Sequence, residues 1–227
     1  MKASLLRRIT FFIGILNILI PLFFGIGITI YLVPLYISCL YLIYYTSVKK
    51  HNILLILFLL VTCIAESIAS FGFVDNFMWI ASLFTVFFLL GTLLLRPALK
   101  RWKIRLKLDE KIGLIVGFIC VVFVMVVTYN ATIDQVPQTV YHLFAFLAFA
   151  LFLYACFFVF IYDHHSRGIF TFITGIAYVC MYVNYFIYEF FYNSILLLVL
   201  VQACEVVGQY AFVVYLEKRD TAFIDLR

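Results

Sequence analysis

The chain has 227 residues, of which 67% are hydrophobic and 12% charged, with a formal net charge of +5 and a mean hydropathy of +1.17. A soluble domain is closer to half apolar and a quarter charged, so the composition excludes a water-facing globular domain and makes lipid the solvent for most of the surface. The 27 Phe and 16 Tyr suit a lipid-facing bundle with interfacial Tyr anchors.

A spanning helix takes about 20 mostly apolar residues. Eight such segments follow one another, at 9–25, 28–47, 52–71, 76–95, 112–129, 138–162, 169–191 and 195–216. The first boundary is the least marked. No charge falls between Ile9 and Ser47, and only Pro21, Gly25 and Gly27 signal a turn. Arg7 and Arg8 precede the first segment as in a secretion signal, but the apolar run is too long and no small-residue cleavage site follows. The segment reads as an uncleaved first helix.

Charge placement supports the count. With eight spans, the N-terminus, the loops after the second, fourth and sixth segments, and the C-terminus share a side. These stretches hold all 16 Lys and Arg: Lys2, Arg7 and Arg8; Lys49 and Lys50; Arg96, Lys100, Arg101, Lys103, Arg105, Lys107 and Lys111; Arg167; Lys218, Arg219 and Arg227. The other side holds Asp75 and Asp134 and no basic residue. By the positive-inside rule the basic side is cytoplasmic, with both termini there. The expected fold is therefore all-α: a polytopic membrane protein, one domain over 1–227, built as a bundle of eight transmembrane helices. The basic loop 96–111 divides it four plus four, so any internal repeat would be parallel.

Topology already accounts for the basic residues, and no nucleic-acid partner is implied. The six Cys (39, 63, 120, 156, 180 and 204) lie inside spans, where they act as small apolar residues rather than a disulfide framework. The sequon Asn130-Ala131-Thr132 sits tight against the fifth segment and reads as chance. No phosphate-binding Gly-rich loop and no metal-ligand spacing on a helix is present. His164 and His165 fall in a loop, so no cofactor or metal is expected.

Ionisable residues within spans are expensive and are functional candidates by default. Glu66 lies in the third segment, roughly 7 Å below its outer end at 1.5 Å per residue, and shares a helix face with Thr62 and Ser70. The seventh segment carries Asn184, with Cys180 and Tyr188 on the same face. In the eighth, Gln202, Glu205 and Gln209 share a face, and His142 lies near the outer end of the sixth. Helix direction places Glu66, Asn184, Gln202 and His142 in the outer half, with Glu205 nearer the midplane. One enclosed polar pocket and scattered interhelical packing glue are the two readings of this pattern. The carboxyls are the hardest to explain as glue, because each needs a partner when buried.

These motifs resemble the YhhN family of integral membrane proteins, whose characterised members are lysoplasmalogenases. The likeness spans most of the chain through loose motifs. Val33-Pro34-Leu35 resembles the family's Lys-Pro-Leu opening, and LLVTCIAESIAS resembles a segment ending in Gly-Asp, with Glu66 at the Asp. TVFFLLGTLLL resembles a segment containing Gly-His, with Thr92 where His is usual. Pro137 and Tyr141 match a Pro-x-x-x-Tyr opening. AYVCMYVNYFIY places Asn184 at the second Asp of a Ser-Asp segment, and ACEVVGQYAF keeps the family's Gln as Gln209.

The resemblance implies hydrolysis of the vinyl-ether bond of a lysoplasmalogen or related lipid, with Glu66 and Asn184 at the catalytic positions. It also implies a pocket drawn from Thr62, Ser70, Thr92, Tyr141, His142, Tyr188, Gln202, Glu205 and Gln209. Protonation of the vinyl carbon creates an oxocarbenium that water attacks, and a second carboxylate activates the water or stabilises the cation. Asn184 does not titrate, so either Glu205 supplies that second carboxylate or Glu66 performs all the proton transfer. The expected partner is a membrane lipid, and the family's breadth points to a bacterial inner membrane. Two other functions stay open: a non-catalytic lipid-binding or membrane-partner protein, in which Glu66 is tied up by hydrogen bonds, and a small transporter or sensor, which would favour broken helices near the midplane.

Overall fold

The computed structural model describes residues 3–99, 108–162 and 167–225. Lys2, Lys100, Arg101, Lys103, Arg105, Lys107, His164, His165 and Arg227 lie outside the described residues. The rest is helices joined by short turns, with no strand among the described residues. The helices are α1 (Ala3–Leu19), α2 (Pro21–Phe24), a short 3-10 turn (Ile26–Ile28), α3 (Thr29–Val48), α4 (Ile53–Ala69), α5 (Phe77–Leu99), α6 (Leu108–Thr132), α7 (Thr139–Tyr162), α8 (Gly168–Phe190) and α9 (Ile195–Asp225). Among the described residues seven helices, taking α1 and α2 as one, are long and apolar enough to cross a membrane. That is the makeup of a polytopic membrane protein. The eighth apolar segment, α4, is shorter at 17 residues.

The break at 20–28 falls where Pro21, Gly25 and Gly27 mark it. Pro21 opens α2, where its missing N–H costs nothing. Gly25 ends it at φ +79°, a left-handed backbone that a side chain resists. Asn52 starts α4 by accepting the Leu55 N–H at 3.2 Å. Two ends differ from the hydropathy reading. α5 runs past 95 through Pro97 to Leu99. α9 runs on from 216 to Asp225, because its charges find partners inside the bundle.

Those partners hold Arg7, Lys218 and Arg219 at one end of the bundle. Arg7 of α1 pairs with Glu217 of α9 at 2.7 Å. The Tyr44 hydroxyl of α3 donates to Asp220 at 2.7 Å. Arg219 donates to Asp220 at 2.7 Å and also to the Leu94 carbonyl of α5, and Lys218 lies 4.3 Å over the Phe170 ring of α8. Glu217 and Arg219 are buried rather than free in water.

The interior is aromatic. Phe58 of α4 stacks on Phe87 of α5 at 4.3 Å and meets Phe212 of α9 at 5.0 Å. Phe88 packs on Phe149 of α7 at 4.6 Å, and Phe152 and Tyr178 close the cluster. Small residues bring α8 and α9 together: a Cβ on Gly208 would lie 3.3 Å from the Tyr178 ring. The helices are unequally enclosed, and that marks inside from outside. In its apolar window α9 is 61% buried, while α6 is only 11% buried.

Candidate functional site

Two turns beyond this aromatic core, away from the basic end, α4 and α9 each present a carboxyl. The side chains of Glu66 and Glu205 lie within hydrogen-bonding reach of one another. Both oxygens of an ionised carboxylate only accept, so a bond between two carboxyls requires a proton on one of them. A single proton shared at this spacing would make the pair an acid and a base side by side. Glu205 is buried at 5% exposure, and Glu66 is less enclosed on α4.

The surroundings orient the pair. The Gln209 amide, one turn along α9, donates to Glu205 Oε1 at 2.6 Å. The phenols of Tyr36, Tyr178 and Tyr185 lie close enough to interact electrostatically with it: Tyr36 with Glu205, and the other two with both carboxyls. The Tyr36 hydroxyl is anchored by donating to the Val206 carbonyl at 2.7 Å. The buried Tyr178 hydroxyl has no hydrogen-bond partner among the described residues. One turn farther from the basic end, the Ser70 hydroxyl bonds to the Glu66 carbonyl and to Thr29 Oγ1, each at 3.0 Å. Gln202 is buried with its Oε1 unpartnered among the described residues.

The other candidates lie elsewhere or face their own helices. Asn184 donates to the Cys180 carbonyl of its own helix at 2.7 Å. Thr62 donates to the Phe58 carbonyl and Thr92 to the Phe88 carbonyl, one turn back in each case. Tyr141 is exposed on α7, and Tyr188 is buried on α8. His142 is buried beside a different space. Its Nε2 lies 3.0 Å from the Tyr182 hydroxyl, its ring stacks on Phe186 at 5.0 Å, and it lines an apolar cavity of about 40 Å³ with Phe73, Phe77 and Tyr185. Tyr185 lines that cavity and also interacts electrostatically with both carboxyls.

Sequence reasoning missed Tyr36, Tyr178 and Tyr185. These tyrosines gave little signal, because Tyr in a span is ordinarily read as an interfacial anchor. Against known proteins, the chain matches no family model, no curated protein and no solved structure.

Proposed function

We propose that the chain crosses its membrane eight times with the basic end in the cytoplasm, and that Glu66 and Glu205 form an acid–base pair that hydrolyses a lipid. The closeness of two carboxyls on different helices, with Gln209 donating to Glu205, supports this reading. The substrate in best accord with the sequence resemblance is the vinyl ether of a lysoplasmalogen. The protonated carboxyl gives its proton to the vinyl carbon, leaving an oxocarbenium beside the remaining carboxylate. That carboxylate takes a proton from the attacking water, and the hemiacetal collapses to an aldehyde and a free glycerol hydroxyl. One water is consumed, and the pair recovers its proton. The second carboxylate is assigned to Glu205 rather than to the Asn184 position, whose amide is engaged by its own helix.

The test is aldehyde release from a lysoplasmalogen by the purified protein beside Glu66→Gln and Glu205→Gln. Loss of an acid–base group lowers turnover by about 10²–10⁴-fold. A folded wild type that releases no aldehyde, or folded variants that release as much, would retire the mechanism. Topology is tested separately by labelling cysteines placed at Lys50 and Gln135 from outside intact cells. Reaction at Lys50 would reverse the orientation.

A second reading, lipid binding without turnover, draws on the closure of the pair. Glu66 is tied to Glu205, and the cavity beside Tyr185 is only about 40 Å³. Lipid retained through purification with no aldehyde released would favour it.

A further inference from the structure

α8 and α9 run antiparallel across the turn at 191–194, and small residues bring their backbones close. A Cβ on Gly208 of α9 would lie 3.4 Å from the Ala177 Cβ of α8, and the Thr174 hydroxyl reaches the Gly208 carbonyl at 3.4 Å. One turn farther from the basic end stand two cysteines. Cys180 follows Ala177 by three residues and Cys204 precedes Gly208 by four, so both continue the same seam. Their thiols lie within hydrogen-bonding reach of one another.

The pair opens outward from the bundle. Cys180 is exposed and Cys204 half-buried, and both line a shallow apolar groove of about 340 Å³ with Ile176, Ala177, Ala203 and Val207. The other cysteines stand on α3, α4, α6 and α7, where Cys39 has Thr10 beside it and Cys63 has Ser67. Helix axes ordinarily stand about 8–10 Å apart. A disulfide needs Cα atoms about 4.4–6.8 Å apart, an approach that Gly and Ala on this seam permit. The solvent at the groove is hydrocarbon, and a charged oxidant enters it only at high cost. A reagent that reaches these sulfurs must therefore dissolve in lipid.

We propose that Cys180 and Cys204 are a redox dithiol within the membrane, oxidised by a lipid-soluble quinone to a disulfide that staples α8 to α9. One sulfur–sulfur bond forms as two S–H bonds break. The two electrons and two protons pass to the quinone, which leaves as its hydroquinone. Cys204 directly precedes Glu205, so the staple holds α9 at the level of the carboxyl pair. The dithiol chemistry itself does not depend on what that pair does.

The test places the full chain in phosphatidylcholine nanodiscs with a fully substituted benzoquinone carrying a decyl tail. Such a ring accepts electrons but has no open position for a thiol to add. Remaining thiols are then alkylated in denaturing detergent and the peptides mapped. The expected product is one disulfide joining Cys180 to Cys204, with an equal amount of hydroquinone and full reversal by dithiothreitol. Ferricyanide, confined to water by its charge, gives roughly a tenth of that yield or less. Cys180→Ala and Cys204→Ala each abolish the disulfide and the hydroquinone. Cys120→Ala, which removes the exposed cysteine of α6, changes neither. All six thiols still open to alkylation after quinone treatment overturns the proposal. So does a disulfide between other cysteines in equal yield, or equal oxidation by ferricyanide.

Discussion

Replacing Gly91 by Ala adds one methyl to the seam between α5 and α7. Its Cβ would lie 2.6 and 2.8 Å from two ring carbons of Phe152, and 3.3 Å from Phe58. Carbon atoms in contact prefer about 3.5–4.0 Å, so a shift of about 1 Å is required. Phe152 has nowhere to swing: it is fully buried, with Phe88 at 5.6 Å, Phe212 at 5.6 Å and Tyr178 at 5.8 Å. Phe58 is stacked on Phe87. The helices must part instead, and overpacking of this kind costs about 1–3 kcal/mol. The higher helix propensity of Ala returns at most about 1 kcal/mol of that. The expected net loss of about 1–2 kcal/mol is about a five- to thirtyfold fall in the folded-to-unfolded ratio. Denaturant unfolding in mixed micelles, followed by tryptophan fluorescence, measures it. Adding Phe152→Leu removes the clashing ring edge, so the double variant should lose less than the two single variants together. A Gly91→Ala protein as stable as wild type, or strict additivity with Phe152→Leu, would refute the packing account.

Two further outcomes are expected in the same assay. Arg7→Ala strands Glu217, whose side chain is 6% exposed and whose Oε2 already has no partner among the described residues. The loss should be about 1–3 kcal/mol, and Glu217→Leu in the same chain should recover most of it. Glu205→Gln keeps a donor for Glu66 and should fold like wild type. Glu205→Leu leaves both Glu66 and the Gln209 amide unpaired and should cost about 1–3 kcal/mol more. Equal stabilities for the two Glu205 variants would mean that the pair is not held by hydrogen bonding.

Much of the architecture was legible because lipid forces apolar residues into long runs. What hydropathy could not read is the length of α9. The sequence from Glu217 to Asp220 looks like a loop, and it stays helical because Arg7, Tyr44 and the Leu94 carbonyl reach it from three other helices. The site was legible in its residues but not in its pairing. Gln202, Glu205 and Gln209 announce a polar face by spacing alone. That Glu66 meets Glu205 depends on how α4 is rotated against α9, which no local pattern encodes. Asn184 shows the converse. Its spacing from Cys180 let the amide satisfy itself on its own helix, and a sequence does not distinguish that bond from one made across the bundle.

The Arg7–Glu217 contact joins residues 210 positions apart, and in doing so sets an order of assembly. At about 5–20 residues per second of synthesis, α1 waits roughly 10–40 s before its partner on α9 exists. During that time its buried stripe of Leu6, Thr10, Ile13 and Asn17 has only α3 to cover it. α1 therefore waits in the bilayer and docks in full only once α9 has followed it, so the bundle closes like a clasp whose second half arrives 210 residues after the first.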